Sequence, residues 1–463
     1  MKYRNQKSKK NIRWDTMQII VIGFLGAIFL GGVILYLPIS NQEPIGFLHA
    51  LFTSTSAICV TGLVTIIPAT QFTVFGKVVL LFLIQIGGLG VIAVGTSFFL
   101  MLKRKISLNY RILMFESFNT DGPGGVVKLV RSAIIGTFFV EGIGAFIYAF
   151  AFIPKYGVLR GLCYSVFQAV SSFCNAGIDI LGTDSMAGFA YSPLVNINTM
   201  LLIIVGGIGF TVWLDLRTNG KRILNHEVPN RWWFTRLQLH SKLAIVTTLI
   251  LIVTGTLLVL LFEYDNDATI GTMSFGNKLM ASAFQSVTTR TAGYSTISQL
   301  DLHSETKLLS IILMIIGGSP VGTAGGIKTT TFAMLVITAI SFIRGGNDTE
   351  FFGRKISKEN FRTGFTIVML ALAIYLSGTM AITVIENDTI PVINIMFETA
   401  SALGTVGLTA NLTADLSSAS QIILMIMMYL GRIGPLTFAL VFGKRMHTKD
   451  KLRELPERRI IIG

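Results

Sequence analysis

FTSTSAICVTG, residues 52–62, begins with an aromatic residue, continues with small and hydroxyl side chains, and ends at a glycine. A helix of roughly 12 residues is about 18 Å long, little more than half of a hydrocarbon core of about 30 Å. Non-helical backbone at that depth persists only where it is buried in protein or lines an aqueous cavity. The stretch therefore predicts a half-helix that enters a membrane protein and turns back at Gly62.

The same pattern occurs four times along the chain. The stretches are FTSTSAICVTG (52–62), FQAVSSFCNAG (167–177), FQSVTTRTAG (284–293) and FETASALGTVG (397–407). Their last glycines are 115, 116 and 114 residues apart, and such a regular period indicates a fourfold internal repeat. The first glycine of a glycine cluster follows 24 to 29 residues later in each case, and the clusters are IGGLG (86–90), VGGIG (205–209), IGGSPVGTAGG (316–326) and LGRIGP (430–435).

Composition places most of the chain in lipid, since 52% of its residues are hydrophobic, only 13% are charged, and the mean hydropathy is +0.67. We predict outward spans at 17–38, 129–153, 243–263 and 364–386, and returning spans at 72–102, 193–216, 306–343 and 419–443. The predicted fold is an all-α integral membrane protein. Its unit is span, half-helix, span, which gives eight transmembrane helices and four re-entrant half-helices around a pseudo-fourfold central pore.

Basic residues set the predicted topology. Thirty of the 38 Lys and Arg residues lie before Trp14, from Lys103 to Arg131, from Arg217 to Lys242, from Arg344 to Arg362, and from Lys444 onward. By the positive-inside rule these segments, and both termini, are cytoplasmic. Because these basic residues cluster between the apolar runs, the net charge of +14 does not indicate nucleic-acid binding.

The chain is predicted to divide by repeats. The divisions are an N-terminal segment (1–16), repeat 1 (17–102), repeat 2 with its linker (103–216), repeat 3 with its linker (217–343), repeat 4 with its linker (344–443) and a C-terminal tail (444–463).

Four turns at glycine around one axis would form a ring of backbone carbonyls. Such a ring replaces the hydration shell of a potassium ion in selective pores. Glycine suits the turn because it adopts backbone angles that are closed to other residues. The half-helices would also point their negative C-terminal ends at the cation. Together these features predict a cation pore.

Six segments, CVTGL, CNAGI, RTAGY, GTVGLT, GGSPVGTAGGIKT and LGRIGPLT, resemble those of the superfamily of potassium transporters that includes Trk, Ktr and plant HKT proteins. The resemblance covers nearly the whole chain and is strongest to the membrane subunit of Ktr-type systems. It implies a selectivity filter at Val60, Thr61, Gly62, Asn175, Ala176, Gly177, Thr291, Ala292, Gly293, Thr405, Val406 and Gly407. Potassium would bind only there. No filter segment reads TVGYG and the four differ, so we expect less sharp discrimination between potassium and sodium than in tetrameric potassium channels.

The resemblance also implies the setting in which the chain works. It implies potassium uptake across a bacterial plasma membrane, with sodium as a second candidate ion. It further implies a homodimer attached to a ring of cytosolic nucleotide-binding regulator subunits, through basic loops and the tail. That tail ends in LRELPERRIIIG, which fits docking or, equally, a solvated end. Apart from membrane lipid and the transported ion, we expect no cofactor in this chain.

The third glycine cluster cannot be regular helix, because five glycines and a proline fall between 317 and 326. The alternatives are a movable loop that obstructs the ion path and a rigid kink that lets helices pack closely. The resemblance favours the loop, as the gate. The predicted gate residues are Gly317, Gly318, Ser319, Pro320, Gly322, Thr323, Gly325, Gly326 and Arg432.

Arg432 lies near the middle of a returning span, where a charge costs at least about 2.5–3.5 kcal/mol unless it meets water or a partner. We expect it to face the pore and donate to carbonyls of the loop at 317–326. The alternative is a structural ion pair with Glu141. Other polar residues near the half-helices are predicted to brace the filter from behind: Arg290, Glu398, Gln168 and Gln285. Lys328 is expected on the cytoplasmic side of the loop, and His49 and His303 at the surface.

Enzymatic functions lack support, since the chain has no GxxxxGK[ST], HExxH or GxSxG motif. If a nucleotide regulates opening, another polypeptide must bind it. A strictly coupled secondary transporter of another solute remains the alternative. Its repeats would normally be two and inverted, whereas these four run in the same direction.

Overall fold

The computed structural model describes residues 16–90, 126–182, 185–226, 229, 233–346, 349–387, 390–435 and 437. The predicted C-terminal tail (444–463), most of the N-terminal segment and most of the linker at 103–131 lie outside these residues. The described residues form helices, short turns and one two-stranded hairpin between Glu350–Phe351 (β1) and Arg354–Lys355 (β2).

The helices follow the repeat order of the sequence. They are α1 (Thr16–Tyr36), α2 (Phe47–Cys59), α3 (Pro68–Gln71), α4 (Val74–Leu89), α5 (Val126–Tyr156), α6 (Val158–Cys174), α7 (Pro193–Gly207), α8 (Phe210–Leu224), α9 (Trp233–Arg236), α10 (Leu239–Glu263), α11 (Phe275–Thr288), α12 (Ser304–Ile315), α13 (Thr329–Ile343), α14 (Lys358–Ile385), α15 (Val392–Gly404) and α16 (Ser418–Ile433). We call α2, α6, α11 and α15 the half-helices.

Four of the described helices, α1, α5, α10 and α14, are long and apolar enough to cross a membrane. They coincide with the four segments that were predicted as outward spans. Their outer faces are apolar and exposed, as at Phe29 (60% exposed) and Met380 (69%). Such faces suit contact with lipid tails. The chain is a membrane protein.

The returning segments differ from the prediction. The span predicted at 193–216 is α7 and α8, which meet at an angle of 96°. Gly209, at the bend, has a φ of +98°, which a right-handed helix cannot contain. Gly90 and Gly434 end α4 and α16 with φ of +86° and +93°. The returning segment predicted at 193–216 is therefore broken at Gly209, a break that the prediction did not include. The parts of 72–102 and 419–443 beyond these glycines lie almost wholly outside the described residues.

Repeat 3 opens further, as predicted. Residues 316–328 separate α12 from α13 and contain no helix. In the other three repeats the glycine cluster lets the returning helix touch the last turn of the half-helix. A Cβ added to one glycine of each cluster would overlap a carbonyl oxygen near the end of the half-helix in the same repeat. The pairs are Gly87 with Ile58, Gly206 with Phe173, and Gly431 with Leu403.

The four repeats pack in a closed circle. Each half-helix packs against the outward helix of its own repeat. The returning helix of each repeat also packs against the half-helix of the next: α4 on α6, α7 on α11, α12 on α15, and α16 back on α2. The half-helices are thereby enclosed on several sides, and their C-terminal ends are buried.

Candidate functional site

Each half-helix is followed by a short segment that ends at the repeated glycine. We call residues 60–62, 175–177, 291–293 and 405–407 the glycine segments. Their first residues have left-handed backbone, with φ of +55° at Val60, +59° at Asn175, +70° at Thr291 and +53° at Thr405. Left-handed angles are unusual for β-branched residues and stop a right-handed helix. Strained backbone of this kind is typical of functional sites.

The last glycines also have positive φ: +106° at Gly62, +63° at Gly177, +80° at Gly293 and +96° at Gly407. Other residue types rarely adopt these angles, so the four positions require glycine. The predicted backbone role of these glycines has a geometric basis in every repeat.

The four glycine segments form one ring. A Cβ added to Gly62 would lie 2.8 Å from the carbonyl oxygen of Ala176, in the next segment. The same relation continues around the circle: Gly177 faces the carbonyl of Ala292, Gly293 that of Val406, and Gly407 that of Thr61. The structure therefore brings all twelve predicted filter residues together, with backbone against backbone.

Hydroxyl groups from the half-helices hold this ring. Ser56 Oγ accepts a hydrogen bond from the Gly62 amide (2.9 Å), and Ser401 Oγ accepts one from the Gly407 amide (3.0 Å). In the other two repeats the hydroxyl donates to the carbonyl one residue beyond the glycine: Ser171 to Ile178 (2.6 Å) and Thr288 to Tyr294 (2.7 Å). Sequence reasoning noted hydroxyl residues in the half-helices but assigned no role to these four. Their signal was a Ser or Thr five or six residues before each last glycine.

A side-chain contact also crosses between glycine segments. Asn175 Nδ2 lies 3.3 Å from Thr291 Oγ1 of the next segment. The hydroxyls of Thr61 and Thr405 and the amide oxygen of Asn175 are buried without a hydrogen-bond partner in the structure. Unpaired oxygen atoms in a buried ring can accept contacts from a cation or from water. No group of three or more His, Cys, Asp or Glu suited to a metal occurs among the described residues.

The glycine loop, residues 317–326, lies against the ring. Its backbone binds the bend in repeat 2, where Ser319 donates to the Gly207 carbonyl (2.8 Å) and Thr323 to that of Gly206 (3.2 Å). Thr323 Oγ1 also donates to the carbonyl of Phe173, two residues before the second glycine segment (3.0 Å). The loop thus contacts the base of the ring.

The fourth glycine segment touches the same loop. A Cβ on Gly325 would overlap the side chain of Thr405, the first residue of that segment. Within the loop region, Ser319 Oγ and Thr329 Oγ1 are 2.8 Å apart. The predicted gate residues in the loop are therefore assembled next to two of the four glycine segments.

Arg432, from the last turn of α16, donates to the carbonyl oxygen of Thr323 in the glycine loop. This is the contact predicted from the sequence. The guanidinium also donates to the carbonyls of Gly87 and Gly88 at the end of α4. Glu141, the alternative partner, accepts a hydrogen bond from Gln85 Nε2 at 3.1 Å. The arginine thus joins repeats 1, 3 and 4 beneath the ring.

Three of the predicted bracing residues link a half-helix to the chain that follows its glycine segment. Gln285 exchanges two hydrogen bonds with Gln299 (2.7 and 3.0 Å), Glu398 accepts one from Thr413, and Gln168 Nε2 contacts Met186 Sδ at 3.4 Å. The fourth, Arg290, is buried and donates to Thr248 Oγ1 of α10. These contacts keep the outer side of the ring in place.

Lys328 turns back over the glycine loop. Its Nζ donates to the carbonyls of Ala324 (2.7 Å) and Gly325 (3.4 Å). His303 is exposed, as expected. His49, in α2, is half-buried, and its ring nitrogen Nδ1 lies 2.9 Å from Thr65 Oγ1, three residues beyond Gly62.

The ring of four repeats and its buried backbone define a class of membrane transport proteins. A family model described as "TrkH: Cation transport protein" matches residues 1–454. The chain belongs to this cation transport family, whose members are transporters and not enzymes.

Similar proteins include the Ktr system potassium uptake protein B of Bacillus subtilis, which is 38% identical over 463 residues and covered completely, as is this chain. The potassium/sodium uptake protein NtpJ of Enterococcus hirae is 36% identical over 99% of each chain. Among solved structures, the potassium transporter TrkH from Vibrio parahaemolyticus matches with a TM-score of 0.72 at 14% identity, over 94% of this chain and 86% of that one. That likeness supports the fold.

Proposed function

We propose that the chain conducts potassium ions into the cell through the ring of glycine segments. The proposal rests on the closed ring of glycine segments, in which the glycine that ends each segment faces a backbone carbonyl of the next segment. Backbone carbonyls in such a ring can replace the hydration shell of a potassium ion. Two similar proteins whose names include potassium uptake or potassium/sodium uptake support the choice of ion.

The arrangement in the membrane follows from the repeats. Each repeat supplies an outward helix, a re-entrant half-helix and a returning helix, so eight transmembrane helices and four half-helices surround a pseudo-fourfold pore. Both termini face the cytoplasm, by the charge pattern of the sequence. A negative-inside potential then favours uptake of a cation by about 2.3 kcal/mol per charge for each 100 mV.

The walls of the filter are unequal, which should limit selectivity. Val60, Asn175, Thr291 and Thr405 occupy the same position in the four segments, and only one pair of them is joined by a side-chain hydrogen bond in the described residues. The four segments therefore surround a bound ion unequally. Sodium is the competing ion, and its presence is a variable in the test below.

The glycine loop and Arg432 form the gate in this proposal. The loop lies against the base of two glycine segments and is joined to other repeats by a few backbone hydrogen bonds. Arg432 holds the loop at Thr323 and adds a positive charge below the ring. Moving the loop would open the path for the ion.

Opening requires a signal, and we assign it to a separate cytosolic nucleotide-binding regulator bound to a homodimer of this chain in a bacterial plasma membrane. The chain's sequence contains no phosphate-binding loop. The name of the Bacillus subtilis relative places that protein in a "Ktr system", which fits a complex of several components. No cofactor is assigned to this chain, and potassium is its transported ion.

The test is rubidium and potassium uptake into proteoliposomes that contain this chain, with sodium present or absent and the membrane potential clamped. Selective potassium flux that follows the potential supports the proposal. Flux that needs a stoichiometric second solute would overturn conduction through a pore. If the folded chain alone is silent, the measurement is repeated with the candidate regulator bound, and silence there would also count against the proposal.

A further inference from the structure

Glu141 lies near the middle of α5 and is 4% exposed. One of its carboxyl oxygens, Oε2, is buried and has no hydrogen-bond partner. An ionisable side chain in a membrane helix is costly, so it is most readily explained by a function. The fold gives it none, since α5 already packs against α6 and α7 through apolar and small residues.

The contacts of Glu141 leave its own helix and reach two repeats. Its Oε1 accepts a hydrogen bond from Gln85 Nε2 of α4 at 3.1 Å. The same oxygen lies 3.8 Å from the thiol of Cys174, the last residue of the half-helix α6. Gln85 Oε1 is also 4.0 Å from that thiol. Glu141 therefore joins the end of the returning helix in repeat 1 to the base of the second glycine segment.

Cys174 and the end of α4 are also pressed together. A Cβ on Gly88 would lie 2.7 Å from Cys174 Cβ, so only glycine permits this approach. The carbonyls of Gly87 and Gly88, in the last turn of α4, accept hydrogen bonds from Arg432. Carbonyls at a helix C-terminus lack partners within the helix and readily accept such bonds.

The contacts then return to repeat 2 through the glycine loop. Arg432 donates to the Thr323 carbonyl, and Thr323 Oγ1 donates to the Phe173 carbonyl at 3.0 Å. Phe173 is the neighbour of Cys174 in the chain. The path from Glu141 through Gln85, α4, Arg432 and Thr323 back to Cys174 is therefore closed.

We propose that Glu141 is a positioning residue for the gate: it fixes the end of α4 against the second glycine segment, and thereby fixes the carbonyls that hold Arg432 on the loop. This inference rests on the proposed function, because it assumes that the glycine loop obstructs the ion path. Losing the carboxyl frees the end of α4, weakens the hold of Arg432 on the loop and raises flux through the unstimulated protein.

The experiment measures basal potassium flux through the full chain in proteoliposomes for Glu141→Leu, Gln85→Leu and Glu141→Gln. Both leucine variants should raise basal flux several-fold. Glu141→Gln keeps an acceptor oxygen for Gln85 and should stay near the unchanged protein. Glu263→Gln is the matched control, since Glu263 is also buried but bonds Asn266 and Thr269 at the far end of α10.

A double-mutant cycle with Arg432→Ala separates positioning from a general loss of packing. If Glu141 acts through Arg432, Glu141→Leu adds no further flux in the Arg432→Ala background. A chain that lacks residues 318–325 sets the upper limit of flux, so that saturation is recognised. The inference would be overturned if Glu141→Leu raised basal flux by the same factor in the unchanged protein and in Arg432→Ala. It would also be overturned if the leucine variants eluted from size exclusion and melted like the unchanged protein but showed unchanged flux.

The same set of variants distinguishes two failures. If the loop deletion itself leaves basal flux unchanged, the gate assignment fails and the role of Glu141 fails with it. If the deletion raises flux and the Glu141 and Gln85 variants do not, only the inference is wrong. Should Glu141→Leu fail to fold, Gln85→Leu, at a half-buried position, carries the test.

Discussion

The ring of glycine segments and the glycine loop are both non-helical backbone enclosed by helices, but they are held in opposite ways. Each glycine segment is fixed by a hydroxyl of its own half-helix, as Ser56 fixes Gly62. The loop is fixed by other repeats, through Gly206, Gly207 and Arg432. A hydrogen bond between a half-helix and its own glycine segment moves with that repeat. A hydrogen bond between two repeats can break when one repeat shifts against the other. We infer that the ring stays in place and that the loop moves when the protein opens.

The largest effect is expected from changes in the ring. Gly407→Ser places a Cβ against the carbonyl of Thr61 at a φ of +96°. Backbone strain of about 1–3 kcal/mol at this position should lower potassium preference over sodium by at least about fivefold. Competitive uptake of potassium and sodium measures it, and Gly177→Ser should act in the same direction.

The matched control for both is Gly276→Ser, since a Cβ at Gly276 has open space around it. Unchanged affinity and selectivity in Gly407→Ser and Gly177→Ser would argue against the carbonyl ring. A loss of selectivity in the control as well would point to a general effect of serine in these helices.

Deleting residues 318–325 should have the next largest effect, and in the opposite direction. If the loop obstructs the path, basal flux rises several-fold while ion preference is kept, because the ring does not depend on the loop for its hydroxyl contacts. Flux and preference are measured on the same proteoliposomes. Unchanged flux in a folded protein would leave the loop as a rigid kink.

The resemblance to potassium transporters implied the twelve residues of the ring. Sequence patterns predicted the outward helices and the half-helices, because these follow from apolar length and from a period of about 115 residues. They did not give the break at Gly209, since a glycine inside an apolar run is compatible with a continuous helix. A Cβ at Gly209 would also overlap the carbonyl oxygen of Pro320 in the glycine loop, and this approach is a contact between repeats. The role of Glu141 was likewise hidden, because Gln85 and Cys174 lie far from it in the chain.

A smaller effect is expected from the hydroxyls that hold the ring. Ser401→Ala leaves the Gly407 amide without its acceptor, and an unpaired buried amide costs about 1–3 kcal/mol. Ion preference should fall, but less than in Gly407→Ser, because the glycine backbone can still adopt its angles. Ser377→Ala, on an exposed face of α14, is the control. Equal preference in both variants would show that the half-helix alone fixes the segment.

The smallest effect should come from the brace around the ring. Gln285 and Gln299 exchange two buried hydrogen bonds, and each is worth about 0.5–1.5 kcal/mol net. Replacing Gln299 by Ala leaves the buried Gln285 amide without these bonds, and replacing Gln285 by Ala leaves Gln299 Oε1 without its donor while Gln299 Nε2 keeps the Ile297 carbonyl. Each single variant should therefore melt at a lower temperature. The double variant should be less destabilised than the sum of the two, because neither amide is then left without its partner. Thermal unfolding in detergent measures this coupling.

Ion preference should change little in these variants, since Ser286 and Thr288 hold the same half-helix and glycine segment through separate hydrogen bonds to Ile252 and Tyr294. A large loss of preference in the double variant would mean that the ring depends on its outer brace as much as on its own hydroxyls, and the contrast between local and distant support would fail.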